Sequence, residues 1–324
     1  MLWAEMKSLV SLVALSALWC AWVASAAAEC LDAPDLAAYE AQATPNAAYG
    51  PTEADRLGRV VAPVHINGAG PFRFIVDTGA NRSAVSQGLA ERLGLTLDGS
   101  GEVHSVHGVS IAPLTRVDSM NYGDVALGPA TMPVLSGPML AGEQGLLGVD
   151  GMQGRRLRMD FDRNCIEIIP SRGAPRLRNW VRVDGELRFG HLVVIRAIIN
   201  GVRTNLLIDT GSNTSLANFA LRDAIGLRIQ RRARGGAAVA YTAGDPVLLP
   251  DMMLLPRIRI GELNIRNVRA YLGDFHIFRL WSMQDEPTLL VGMDLLSQSR
   301  AIAIDYATGE VYFRLRDQLR VSTF

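Results

Sequence analysis

The chain has 324 residues, 49% of them hydrophobic, with 32 basic and 32 acidic side chains. That length holds two modest domains, each able to bury a core, and the balanced charge lacks the footprint of a protein that binds nucleic acid or an acidic membrane surface. Lys7 is the only lysine, so beyond it neither a P-loop ATPase lysine nor a Schiff-base lysine exists.

Residues 1–28 read as an export signal. Lys7 closes a short polar start, Ser8 to Ala28 carries no charge, and Ala24-Ser25-Ala26 or Ala26-Ala27-Ala28 suits a signal peptidase. A periplasmic or secreted bacterial protein is expected, with an uncleaved inner-membrane anchor as the alternative, because the apolar run is just long enough to span a bilayer. Cys20 leaves with the signal, so Cys30 and Cys165 remain as one possible pair in an oxidising compartment. Residues 29–58, rich in Ala, Pro, Asp and Glu without alternation, read as a mobile lead segment.

Order begins with a strand at Arg59 to Ile66, the turn Asn67-Gly68-Ala69-Gly70-Pro71, and a second strand, Phe72 to Val76, that delivers Asp77. A short helix follows at Gln87 to Gly94, then strands at Val103 to Ile111, Arg116 to Met120, Val125 to Leu127 and Met132 to Leu135. Leu146-Leu147-Gly148 and a hairpin around Met159 to Ile168 close this unit. The same order of parts then returns. Leu192 to Ile199, Asn200-Gly201 and Thr204 to Ile208 rebuild the hairpin before Asp209, and Phe219 to Ile225 rebuilds the helix. Leu290-Val291-Gly292 matches the segment around Gly148, and Ala301 to Phe313 matches the closing hairpin. The expected organisation is a first lobe at 59–170, a linker at 171–186 and a second lobe at 187–324, both mostly β with short helices. Short, closely spaced strands favour small barrels over a parallel α/β sheet.

Ile75-Val76-Asp77-Thr78-Gly79 with Leu146-Leu147-Gly148, and Leu207-Ile208-Asp209-Thr210-Gly211 with Leu290-Val291-Gly292, resemble the paired motifs of the retropepsin-like and pepsin-like aspartic proteases. One Asp-Thr-Gly is also an ordinary turn, but two copies, each after an apolar strand and each followed by the glycine element, are specific. The resemblance covers about Arg59 to Leu315. It implies an aspartic endopeptidase with two tandem β-barrel lobes, a site at the lobe interface and no cofactor or metal.

Two carboxylates sharing one proton can take a proton from water and give one to a carbonyl oxygen, which is what peptide hydrolysis without a metal or covalent intermediate requires. Asp77 and Asp209 are assigned jointly to that pair. By resemblance, Thr78 and Thr210 hold the loops face to face, and Gly79 and Gly211 let the backbone approach the carboxylates and donate N–H groups to them. At the next position a hydroxyl can lower the pKa of its aspartate. Ser212 has one and Ala80 does not, so the site is expected to work at mildly acidic to neutral pH. Asn81 and Asn213 occupy substrate-contact positions, with a plain turn role as the other reading. The flap candidates are Val103 to Ser110, with His107 and Gly108 near its tip, and Ala238 to Gly244, with Tyr241.

Other features take bland readings. His104 and His107 lack a third ligand for a metal, and Arg231-Arg232-Ala233-Arg234 is a solvated loop. Met252, Met253, Trp281 and Met283 are core or cleft lining, and Asp150 and Asp294 cap helical turns. Two further readings stand beside the protease: a catalytically silent peptide-binding or scaffolding protein of the same fold, against which the intact pair of aspartates argues, and lobes paired between two chains, which the tandem copies make unnecessary. The expected partner is a protein or peptide substrate, with no nucleic acid, a membrane only if the N-terminal segment stays uncleaved, and a monomeric chain.

Overall fold

The computed structural model describes residues 31–32, 59–106, 108–122, 125–136, 140, 142–162, 165–171, 180–226, 230–231, 238–240, 247–249 and 251–316. The expected signal, most of the lead segment, Cys30 and the Arg232–Arg234 part of the basic run lie outside them. Among the described residues no helix is long and apolar enough to cross a membrane.

Each lobe is built outward from a hairpin. Val61–Ile66 pairs antiparallel with Ala69–Val76, and Leu192–Ile199 with Val202–Ile208. Both turns place Asn-Gly at positive φ, 50° and 76° at Asn67-Gly68 and 49° and 84° at Asn200-Gly201. This is the tight-turn chemistry whose twist matches that of the flanking strands. Strict alternation buries Ala62, Val64 and Ile66 on one face of the first strand. The second strand of each hairpin ends in three consecutive buried residues, Phe74-Ile75-Val76 and Leu206-Leu207-Ile208, as expected for a strand covered on both faces.

Those ends are central. Ala69–Val76 runs parallel to Gly145–Leu147, which pairs antiparallel with Ala84–Ser86 on its other side. In the second lobe Val202–Ile208 runs parallel to Thr288–Val291, which pairs antiparallel with Leu216–Ala217. In both lobes the chain leaves the sheet at an aspartate, loops over the end of the glycine-element strand and re-enters on its far side. The first lobe extends this core to nine strands and the second to eight, where Leu192–Ile199 also pairs with Asp251–Ile260 and closes the sheet on itself.

Among the described residues four short helices cover the strands. Helix α1 (Gln87–Arg92) starts at Ser86, whose hydroxyl accepts from Leu89 N–H at 3.1 Å, and α2 (Phe219–Ile225) starts at Asn218, whose side chain accepts from Leu221 N–H at 2.9 Å. Gly226 ends α2 in the left-handed conformation. Helices α3 (His276–Leu280) and α4 (Met293–Leu296) occur in the second lobe; the first lobe has only glycine-rich turns after Gly148. Val149 and Met152 are nonetheless buried there, so this segment packs into the core without a helix.

A six-stranded sheet joins the lobes. Its centre is the antiparallel pair Arg155–Asp160 and Ala301–Asp305, one strand from each closing hairpin. Across this seam Arg156 donates two hydrogen bonds to Asp305, at 3.0 and 2.6 Å. Burial opposes ionisation of Asp305, but bonds from Ser171, the Ala307 N–H and Arg156 outweigh it and hold the carboxyl below the usual carboxylate range.

Several elements depart from expectation. Where a plain linker is expected at 171–186, Val181–Val183 adds an edge to the joining sheet and Gly185–Arg188 pairs with Leu192–Ile199. Leu31–Asp32 of the lead segment adds the opposite edge, beside Cys165–Pro170. The single strand expected at Val103 to Ile111 is the end of a hairpin instead, Leu97–His104 against Val109–Val117. The long hairpin Asp251–Ile260 and Leu263–Leu272 was not anticipated. Met253, Met283 and Trp281 are buried in the core as expected.

Candidate active site

The two aspartates stand at equivalent strand ends, their N–H groups bonded to Leu147 C=O at 2.9 Å and to Val291 C=O at 3.0 Å. The following threonines lock the loops together reciprocally. The Thr78 hydroxyl donates to Ile208 C=O at 2.8 Å and accepts from Thr210 N–H at 3.1 Å, while the Thr210 hydroxyl donates to Val76 C=O at 2.6 Å and accepts from Thr78 N–H at 3.1 Å. All four bonds cross between lobes in the dry interior, each worth about 0.5–1.5 kcal/mol net. They leave the carboxylates one relative placement. Gly79 N–H donates to Asp77 at 2.8 Å and Gly211 N–H to Asp209 at 2.9 Å. Each carboxylate also lies against the glycine of the other lobe: a Cβ on Gly79 would stand 2.6 Å from the Asp209 carboxyl carbon, and one on Gly211 closer still to that of Asp77.

Asp77 and Asp209 are 4% and 8% exposed and hydrogen-bonded to one another. Burial pushes Asp77 above its ordinary range, opposed by its bond with Asp209, the Gly79 N–H and the charge of Arg59. Asp209 is pushed well above that range, by burial first and then by the charge and hydrogen bond of Asp77. The pair therefore holds one proton and titrates as a unit.

Arg59 was not singled out by sequence. Val61 pairs with Ile75 and Val76 N–H bonds Val60 C=O at 2.8 Å, so continuing the register sets Arg59 opposite Asp77. It is 8% exposed, and its Nε and Nη2 have no hydrogen-bond partner. The charges that act on it are those of Glu143 first, then Asp77 and Asp209, and Glu143 is itself bonded to Arg73 at 2.7 and 2.6 Å. A buried cation here favours the ionised form of Asp77. Replacing Arg59 with Met is expected to raise the pKa of Asp77, so the acid limb of a kcat–pH profile moves to higher pH; an unmoved limb would count against this role. Removing a cation that faces the charge of the dyad and of Glu143 is also expected to lower stability.

A second brace ties each loop to its glycine element. Asp150 accepts from Ser83 N–H at 2.8 Å and from the Ser83 hydroxyl at 2.6 Å, and that hydroxyl accepts from Gly148 N–H at 3.1 Å. Asp294 repeats this with Ser215 at 3.1 and 2.7 Å, and Ser215 with Gly292 N–H at 3.1 Å. The expectation that both aspartates cap helical turns is thus corrected for Asp150, whose carboxylate binds Ser83 and precedes no helix; Asp294 does lie in the first turn of α4 and meets Leu295 N–H, but it binds Ser215 as well. Ser83 and Ser215 each lie six residues after their aspartate, a match that aligning the two copies exposes.

A sequence model of a family described as aspartyl protease matches residues 62–150 and 195–295, more than half of the chain. The chain belongs to the aspartyl protease family. The match falls in two segments, one per lobe, as the retropepsin-like tandem reading requires. No curated protein matches the chain.

The remaining expected site residues of this aspartyl protease family member can be placed against that frame. Ala80 lies beside the dyad, packed with Val103 against a small apolar cluster under the loop. Ser212 departs from expectation: its N–H reaches Asp209 at 3.2 Å, but its hydroxyl donates to Thr214 C=O at 2.8 Å. The chemical asymmetry of the two halves thus comes from Arg59 and not from that hydroxyl. Asn81 donates to Phe189 C=O, a contact to the start of the second lobe, and Asn213 is half-buried in its loop. His107 and Tyr241 lie outside the described residues. Gly108 closes the first flap candidate, accepting from Ser105 N–H at 2.9 Å. Ala238–Ala240 pairs with Val247–Leu249 as the other candidate hairpin.

The first hairpin reaches across to the other lobe. One of its faces, with Val103 and Ala112, packs on the cluster that includes Ile75 and Ala80. The opposite face carries Glu102, His104, Val109 and Ile111, where Ile111 is 68% exposed. At the tip Val106 is 4% exposed and its C=O accepts from His276 N–H of α3 at 2.8 Å. The hairpin therefore bridges the lobes whose interface holds the dyad.

Proposed function

We propose that this protein is a single-chain aspartic endopeptidase. The observation that carries the reading is the pair of buried carboxylates held in contact by reciprocal cross-lobe threonine bonds, an arrangement that retains one proton between two acids. Asp77, beside Arg59, is the base that takes a proton from water as its oxygen attacks the carbonyl carbon. Asp209 donates its proton to the carbonyl oxygen. Collapse of the tetrahedral intermediate returns a proton to Asp209, passes one from Asp77 to the leaving nitrogen and breaks the C–N bond. The exposed apolar side chains Val109 and Ile111 on the bridging hairpin suit contacts with an extended peptide while helping to exclude water.

Both aspartates belong to one chain, and the joining sheet fixes their lobes, which supports a monomeric site. The reading extends to an exported protein whose residues 1–28 are removed, testable by N-terminal sequencing of the mature chain. The enzymatic proposal is tested by cleavage of a peptide library with the residue 29–324 protein across pH, beside the Asp77→Asn variant. Cleavage by the first and not the second is expected. Equal cleavage by both, or none by either at any pH, would sink it.

A further inference from the structure

His104 and His276 meet where the bridging hairpin lands on the second lobe. Their facing nitrogens, Nδ1 of His104 and Nε2 of His276, are 3.0 Å apart. The ring centroids are 5.3 Å apart and the planes agree within 6°. That centroid separation is the nitrogen separation plus one ring radius at either end, so the rings lie edge to edge in one plane. The two nitrogens face each other along a line, the geometry of one shared proton.

Such a contact counts protons. With both rings neutral, one nitrogen donates and the other accepts. A first added proton makes the bond charge-assisted and strengthens it; the outer nitrogen of His104, Nε2, faces Glu102 at 3.4 Å. A second leaves two N–H groups and two positive charges face to face, and the bond is lost. Asp274, the acidic neighbour on the approach to α3, is held by Arg279 at 2.5 Å and does not offset that charge. Arg279 itself adds repulsion.

We propose that His104 and His276 are positioning residues that hold the Leu97–Val117 hairpin across the cleft and release it when both imidazoles are protonated. The Val106 C=O contact to His276 N–H has no titrating group, so among the described residues the imidazole pair is the proton-sensitive part of this docking site. Burial, the neighbouring His104 and Arg279 all hold His276 below the usual histidine range. The sign follows from that direction: the latch is fully engaged above the ordinary histidine pKa of about 6.5 and is lost as pH falls through the lowered value of His276. A dyad that works while holding one proton would then meet substrate through a flap that opens on the acid side.

The kinetic consequence rests on the peptidase reading, but the structural test does not. Amide hydrogen exchange of residues 97–117 in the substrate-free protein, corrected for intrinsic rates, is compared across the histidine range. The wild type is expected to lose about tenfold in protection as the pair becomes doubly charged. His276→Gln, which cannot be charged and whose amide oxygen reaches the ε position to accept from His104, should keep its protection in acid. His276→Arg, charged throughout, should lack it even at neutral pH. A hairpin whose protection is flat with pH in the wild type, or alike in all three proteins, overturns the latch. In peptide assays the same variants should change the pH dependence of KM more than that of kcat. A protein that switches exchange yet cleaves no peptide keeps the latch and loses the peptidase reading. One that cleaves peptides with pH-independent exchange does the reverse.

Discussion

Asp77→Asn is expected to lower kcat for peptide cleavage by about 10²–10⁴-fold, and Asp209→Asn by a similar factor, with little change in the folded structure. Asn keeps an oxygen to accept from Gly79 or Gly211 N–H, so the loop hydrogen bonds survive. What is lost is the pair's capacity to hold one proton and one charge. Neither variant should melt lower than the wild type, because two buried carboxylates cost desolvation that the amide avoids. Mixing the two variants adds a second readout. If each chain closes its own site, the mixture stays inactive; recovered activity would show lobes exchanging between chains. Full activity in either single variant would overturn the dyad.

Gly211→Ala is the second large effect. The new Cβ would sit well inside contact distance of the Asp77 carboxyl carbon, and Asp77 has little room to retreat. Its loop is tied by Gly79 N–H and by the threonine bonds, and its backbone N–H by Leu147 C=O. Crowding of this kind costs about 1–3 kcal/mol, measurable by chemical denaturation, and displacing one carboxylate should cost about 10²-fold in kcat. Gly88→Ala in α1 is the control: its Cβ meets nothing within 4 Å, and the change should be neutral or stabilising by up to about 1 kcal/mol. Equal effects at the two positions would show that the crowding of Asp77 is not what matters.

The dyad was legible because its signals are local and duplicated. Apolar strand ends, Asp-Thr-Gly and a later apolar-apolar-Gly recur at matching positions, and Asn-Gly turns mark both entry hairpins. Less legible were features defined by pairing between distant segments. The roles of Asp150 and Asp294 depend on serines 67 and 79 residues away, and a carboxylate near a helix start reads more simply as a cap. Arg59 becomes notable only when register sets it across from Asp77 with two of its buried nitrogens lacking a hydrogen bond. His104 and His276 are 172 residues apart, and nothing local to either one announces the other. Residues 181–188 looked like connection because strands of three and four residues are too short to show a period. The Ser212 hydroxyl failed by geometry alone: it turns to Thr214 C=O, two residues on in its own loop.

The joining sheet has a consequence for how this molecule comes into being. Its strands are drawn from residues 31–32, 155–170, 181–183 and 301–314, so it stays incomplete until the last hairpin has been synthesised. A first lobe emerging alone would present the open edge of Arg155–Asp160 until Ala301–Asp305 arrives, and open edges invite pairing with other chains. The dyad depends on the same late event, because its threonine bonds also need both lobes. On the peptidase reading, proteolytic competence would therefore wait until both lobes have been made.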